Sequence, residues 1–290
     1  MFPGGLGEAF AVLPSDEMIG PNPGGNLPRD MDSTPLQPPA RLLPGAQVVE
    51  VANWQLWEIP VIDSTNAAAA TLAAWHAVRA DRQTAGRGRF QRPWISDDGG
   101  LWLSAAIPTA PLGEAVKLLP LLAGLAICRT VQQLGLRTLR MRWPNDIMVD
   151  QRKLAGVLVD QPRPELAVVG IGLNIRNHPE QVEPSLAGQV ARLADFLAHP
   201  PTPAEITRTL LPALRGVLHE VASRGVETVL PRVNELWGEG REVELDLDGV
   251  MVHGRFVGVD QTGRLVLETR SHKRIGYEPH QVRLLRETED

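Results

Sequence analysis

Apolar positions recur along this chain with two different periods, and where neither holds the chain turns to proline and glycine. Residues 1–46 carry no period: "PGGLGE", "IGPNPGGNLPRD" and "PLQPPARLLPG" read as a disordered extension, and their prolines would interrupt the helices of a helix-turn-helix. From about Gln47 the texture changes. "VVEVANWQLWEIPVIDSTN" reads as strand and ends in a Ser/Thr/Asn cluster. "NAAAATLAAWHAV" predicts a helix with Ser64 or Thr65 as its N-cap. "GLWLSAAIP" predicts a short apolar strand. "AVKLLPLLAGLAICRTVQQLG" predicts a long apolar helix, with Pro120 near its first turn and Gly135 at its end. "LRMRWPNDIMVDQRKLAGVLVDQ" predicts strand, break, strand, hairpin turn and strand, and "ELAVVGIGLNI" a buried strand. Helical spacing returns in "PAEITRTLLPALRGVLHEVASRG" and "VETVLPRVNELW". From Gly240 onward, short strands separated by turn residues predict a small β-barrel. The expected division is an extension over 1–46, a mixed α/β body over 47–238 and a β module over 239–290.

Composition narrows the class. At 290 residues the chain exceeds one average domain, and 43% hydrophobic residues suffice for a sizeable core. A net charge of −5 argues against general binding to nucleic acid or to a membrane surface. No apolar run reaches the length of a membrane span, and no basic segment followed by an apolar one opens the chain. The single cysteine, Cys128, excludes an intramolecular disulfide, which fits the cytoplasm, and its apolar neighbours mark it as a core residue.

Against this acidic background, "DRQTAGRGRFQRPW" gathers Arg82, Arg87, Arg89 and Arg92 on one short loop. Glycine lets a backbone approach a ligand closely, and arginine matches carboxylate or phosphate oxygens. Arg87 and Arg89 could therefore straddle a small anion while Gly86 and Gly88 let the chain wrap it, in a loop mobile when empty and ordered when filled. A solvated basic loop, or an Arg–Gly patch touching RNA, fits "GRGR" equally well. It is neither a Walker A motif nor a dinucleotide fingerprint. Asp146 and Lys153 flank the predicted hairpin and can reach one site, although each alone reads as a turn residue or a surface charge. Gly170 and Gly172 weaken a buried strand and mark close backbone approach to a ligand, with Asn174 at its end. Ser64, Thr65 and Asn66 supply hydroxyls and an amide at a helix start, for capping or for a ligand.

Together "DSTN", "QTAGRGRxxRxW", "RWPNDIxxxxxKLAGVL" and "GIGLNI", in this order and followed by a β module, resemble the biotin protein ligase family over about residues 55–287. The resemblance implies an α/β (α+β) fold: a mixed sheet flanked by helices, as in class II synthetases, with a small C-terminal SH3-like barrel. It implies an enzyme that converts biotin and ATP, with Mg2+, to biotinyl-5′-AMP and pyrophosphate. Biotin then passes to one lysine of a biotin carboxyl carrier protein. By resemblance, Ser64, Thr65, Asn66 and Gln83 hydrogen-bond the ureido head of biotin, and Gly86, Gly156, Gly170 and Gly172 lie against biotin. Arg87 and Arg89 sit beside the carboxylate and phosphates, and Trp94 closes over the loop. Lys153 bridges the carboxylate and α-phosphate, Asn145 and Asn174 face the nucleotide, and Asp146 is associated with the metal or the acceptor lysine. Arg283 or Arg286 reaches the nucleotide. A homodimer through the sheet is a family habit, whereas the missing winged-helix pattern implies the monofunctional type with no nucleic-acid partner. Gln91 stands where a glycine is common, which alters the loop's shape, and Pro93 stiffens its exit.

The alternatives are a lipoate-type ligase of the same superfamily, a nucleic-acid-binding protein and a biotin sensor without transfer. The polar "DSTN" and Gln83 suit a ureido head better than a dithiolane. The acidic balance weakens the nucleic-acid reading, as do the few aromatics among the arginines, Phe90 being the one between Arg89 and Arg92.

Overall fold

The computed structural model describes Leu43, residues 45–238 and residues 240–287, so the extension expected over 1–46 lies almost wholly outside the described residues. The body opens with a hairpin where one strand was expected. β1 (Gln47–Val51) and β2 (Trp54–Ile62) are antiparallel, joined by Ala52 and Asn53 with φ of 49° and 63°. Positive φ at both central residues is the type I′ geometry that suits the twist of paired strands. The helix expected over "NAAAATLAAWHAV" shrinks to α1 (Thr65–Ala69), capped by Ser64, and β3 (His76–Gln83) takes the rest. Alanine favours helix but has little surface to bury, whereas "HAVRA" gains a parallel partner in β2 and an antiparallel one in β4 (Leu101–Pro108).

A 3-10 segment over Gly113–Leu118 takes the start of the long apolar stretch, and α2 (Leu119–Gln133) follows, with Gly135 at φ 97° just past its end. β5 (Arg140–Arg142), β6 (Asp146–Val149) and β7 (Arg152–Arg163) form the predicted strand series. Asp150 and Gln151 supply a second two-residue turn of positive φ between β6 and β7. β8 (Leu166–Leu173) runs between β7 and β4, giving an eight-stranded mixed sheet of order β1-β2-β3-β4-β8-β7-β6-β5. α3 (Pro203–Arg224) begins with a Thr202–Glu205 capping box, and α4 (Leu230–Trp237) leads to the C-terminal module.

Strand alternation divides the sheet into two faces. Leu101, Leu103, Ala105 and Ile107 of β4, with Ala167, Val169, Ile171 and Leu173 of β8, pack into the main core with α2 and α3. The intervening positions face the other way. There Ala106 and Val168 lie in a smaller core under α1, with Trp57, Val78 and Ala69. Farther along, the same face carries Ser104, Gly170, Gly172 and Gly156. Thr65 and Asn66 at the start of α1 reach the first two, and beyond them the short helix leaves the small-residue floor to Trp94 and a cleft.

β9 (Glu242–Leu247), β10 (Val250–Val259), β11 (Leu265–Glu268), β12 (Arg274–Tyr277) and β13 (Leu284–Glu287) form the expected small antiparallel module, in the order β12-β11-β10-β9-β13. It is tied to the body. Asn234 of α4 pairs with the backbone of Val259, Trp143 Nε1 donates to Gly263 O at 2.9 Å, and Arg140 bonds Glu287 at 2.9 Å. No helix among the described residues is long and apolar enough to cross a membrane.

Candidate active site

A cleft of about 550 Å³ lies on the open face of the sheet, bounded by α1, the loop 83–94, the β6–β7 hairpin and the start of β13. Of the residues to which the resemblance gives a place at the ligands, all but Gly86 and Arg286 line it; Arg82 and Gln91 of the basic loop do not. Gly86 instead lies beneath the loop's return, where a Cβ would fall 2.5 Å from Trp94 O and 2.6 Å from Ser96 Oγ. Its smallness lets the loop close on itself. Arg286 ion-pairs with Glu244 at 3.5 Å, whereas Arg283 faces the cleft.

The loop 83–94 is an irregular hairpin. Gln83 N donates to Ser96 O at 3.0 Å, Trp94 N to Gly86 O at 2.9 Å and Gly88 N to Arg92 O at 2.8 Å. Phe90 and Gln91 take φ of 56° and 58°, so the glutamine at the common glycine position adopts the left-handed conformation a glycine would favour. Arg87 is exposed at the cleft edge, with Gln91 Oε1 at 3.5 Å. Arg89 turns toward the C-terminal module and donates to Pro279 O at 2.6 Å and Val282 O at 3.3 Å. Phe90 lies between its guanidinium, at 4.8 Å from the ring centroid, and that of Arg283, at 5.1 Å. Burial draws the Arg89 pKa down and the Asp146 charge partly offsets this.

One end of the cleft is a polar cluster. Gln83 Oε1 accepts from Thr65 N at 2.8 Å and from Thr65 Oγ1 at 2.9 Å, while Gln83 Nε2 donates to Ser96 Oγ at 2.9 Å. Ser104 Oγ lies 2.7 Å from Thr65 Oγ1 and 2.6 Å from Asn66 Oδ1, and Asn66 Nδ2 donates to Asp160 Oδ2 at 2.8 Å. The Thr65 backbone N–H fixes one amide orientation and the Asp160 carboxylate the other, so both ends of the chain Asn66–Ser104–Thr65–Gln83 are acceptors. Two hydroxyl hydrogens then serve three O···O contacts. Ser104 and Asp160 were missed in the sequence. A lone hydroxyl inside the apolar "LWLSAAIP" was a usable signal, because a buried hydroxyl needs a partner; Asp160 had none.

The other end is charged. Lys153 Nζ lies 2.7 Å from Asp146 Oδ1 and 4.9 Å from the Trp94 ring centroid, and Arg142 Nη2 lies 3.0 Å from Asp146 Oδ2. Burial alone would raise the Asp146 pKa, but the two cations and their hydrogen bonds outweigh it and hold the carboxyl below its usual range. Both carboxylate oxygens thus face cations, and among the described residues no three His, Cys, Asp or Glu side chains gather into a metal cage. Asp146 is thus committed to an ion-pair network with Lys153 and Arg142, and a single carboxylate of this kind could meet Mg2+ only together with substrate phosphates. Asn145 and Asn174 line the cleft, but their amide N–H groups bond Val157 O at 2.9 Å and Lys153 O at 3.3 Å and brace the strand ends. Beneath, Trp94 lies on glycines: a Cβ on Gly172 would fall 2.5 Å from the indole and one on Gly156 3.0 Å from it.

Residues 59–175 match the Biotin/lipoate A/B protein ligase family, and residues 240–277 match the Biotin protein ligase C terminal domain. The biotin--[acetyl-CoA-carboxylase] ligase of Paracoccus denitrificans is 31% identical over 71% of this chain and 90% of its own. The bifunctional ligase/repressor BirA of Escherichia coli is 29% identical over 80% of this chain and 75% of its own. The biotin protein ligase of Aquifex aeolicus, solved with biotin and ATP, shares the fold, with a TM-score of 0.71 at 24% identity, covering 80% of this chain and 99% of that one. These matches place the chain and its fold in the biotin/lipoate ligase class. Within that class, the chain belongs to the biotin protein ligase family.

Proposed function

We propose that this protein joins biotin to one lysine of a biotin carboxyl carrier protein through biotinyl-5′-AMP. The observation that carries the substrate choice is the polar end of the cleft. Its hydroxyl and amide oxygens outnumber the hydrogens available to them, so it suits a head group that brings N–H donors. A ureido ring brings two, and a dithiolane brings none. Names of relatives point the same way.

With the ureido head at Thr65, Asn66 and Gln83, the biotin chain runs over the Gly170–Gly172 floor toward Lys153. The carboxylate is already anionic, so its attack on the α-phosphorus needs alignment and charge neutralisation rather than a base. Lys153, held by Asp146 and covered by Trp94, supplies a fixed cation there; Arg87 and Arg92 stand at the same mouth. Mg2+ enters with the triphosphate as part of the substrate. The new C–O–P linkage forms as the bond to the β-phosphate breaks and pyrophosphate leaves. In the second step the carrier lysine, having lost its proton, attacks the acyl carbon and AMP departs. The loop hairpin covers the mixed anhydride and keeps water from it.

Incubation with labelled biotin, Mg-ATP and a carrier domain should place covalent label on the carrier lysine, with one pyrophosphate released per transfer. Label from lipoate but not from biotin would overturn the substrate. Label remaining on free adenylate, with none on the carrier, would make the protein a sensor.

A further inference from the structure

Asp160 stands at the rim of the polar end, outside every sequence motif noted above, and three strands meet there around Asn66. Ser104 on β4 touches Asn66 Oδ1 at 2.6 Å. Gly170 on β8 lies beside the amide, where a Cβ would come 2.1 Å from the same oxygen. Asp160 on β7 accepts from Asn66 Nδ2 at 2.8 Å. The register explains the meeting: Gly170 pairs with Ser104 on one side and with Leu158 on the other, and Asp160 follows on the same face of β7 as Leu158.

A side-chain amide is nearly symmetric in shape and opposite in chemistry at its two ends. Gly170 gives the Asn66 amide its place without choosing between those ends. Ser104 does not choose either, because a hydroxyl can donate or accept. Only the carboxylate of Asp160, which accepts and cannot donate, requires Nδ2 on its own side and so places Oδ1 toward Ser104 and the cleft. We infer that Asp160 is a positioning residue for head-group recognition: it orients the Asn66 amide so that the cleft presents an oxygen to the N–H groups of the ligand. Inversion of Asn66 would set an N–H against an N–H. This rests on the biotin reading above and adds to it a residue that governs specificity without touching the reacting atoms.

The test compares the parent protein with Asp160→Ala, Asp160→Glu, Asn66→Ala and the Asp160→Ala/Asn66→Ala double variant. Biotin affinity is measured by calorimetry without ATP, the KM for ATP at saturating biotin, and the melting temperature without ligand. Asp160→Ala should weaken biotin binding by about five- to tenfold, the worth of one net hydrogen bond. The KM for ATP should not move, Asp160→Glu should recover most of the affinity, and Asp160→Ala should add nothing once Asn66 is gone. A tie that merely fastens α1 to the sheet would lower the melting temperature and shift both substrates alike. Unchanged biotin affinity in Asp160→Ala, or an equal further loss in the Asn66→Ala background, overturns the inference while the ligase reading stands. Failure of the parent protein to bind biotin overturns that reading, and the role of Asp160 falls with it.

Discussion

Gly172→Ala offers a direct measure of how far the loop's seat depends on the sheet beneath it. Gly172 pairs with Trp102 on β4 and with Gly156 on β7, so its backbone is held on both sides. An added methyl would stand 2.5 Å from Cε2 and Nε1 of Trp94, against roughly 3.5 Å for an unstrained contact. The sheet cannot give, so the half-buried indole must retreat by about 1 Å. Overpacking of this kind costs about 1–3 kcal/mol. Borne by the closed loop, that weakens ligand binding by about fivefold to about 150-fold. It also loosens the cover over Lys153, whose ammonium lies 4.9 Å from the ring centroid. Calorimetric titration with biotin, beside thermal unfolding without ligand, separates the two places where strain could appear. We expect a raised dissociation constant with a melting temperature close to that of the parent. Gly216→Ala is the control: on the exposed side of α3, with nothing within 4 Å of the new methyl, it should stabilise the fold by about 0.5–1 kcal/mol and leave binding alone. Biotin affinity within twofold of the parent in Gly172→Ala would refute the picture of Trp94 seated on the glycine floor.

Lys153→Gln should lower the rate of adenylate formation by about a hundredfold or more, since it removes a fixed charge where negative charge gathers; pyrophosphate release reports it, and a rate within threefold of the parent would remove Lys153 from the chemistry. Arg89→Gly should speed escape of biotinyl-AMP by about tenfold or more, because it deletes two charge-assisted bonds to Pro279 O and Val282 O, and a chase with unlabelled biotin measures that rate. Stability should fall as pH drops below 6.5, in part through His76, whose burial lowers its pKa from that ordinary value. The unfolded chain takes up the proton first, so the contribution is complete above 6.5 and is lost on descent through the folded-state pKa. Trp57 Nε1 donates to His76 Nδ1 at 3.0 Å, an acceptor that protonation would remove. Denaturant titrations at pH 7.5 and 5.5 should show a smaller pH difference in His76→Leu than in the parent.

Much of the site was legible because its residues lie in short runs. Loop, hairpin and glycine strand each spell one wall of the cleft, and each wall forms where its run does. Local pattern could not say where α1 ends, since the seven alanines of residues 66–78 run through α1 and into β3 alike; pairing with β2 decided it. Nor could it reach contacts made across the chain. Asp160 meets Asn66 over a separation of 94 residues, and Arg89 meets Pro279 over 190. Such contacts depend on strand order, which no single run encodes.

The Arg89 contact changes what the basic loop must do. Arginine and glycine in alternation suggested cations waiting for an anion, yet the most buried of these guanidiniums spends its donors on backbone carbonyls of the C-terminal module. Phe90, clasped between Arg89 and Arg283, strengthens the same junction. A loop anchored at its tip by carbonyls, and at its base by Trp94 on glycine, keeps its shape through contacts at both of its own ends. In the reaction proposed above, the small module contributes by holding the loop closed over the cleft, the cover that a water-sensitive anhydride requires.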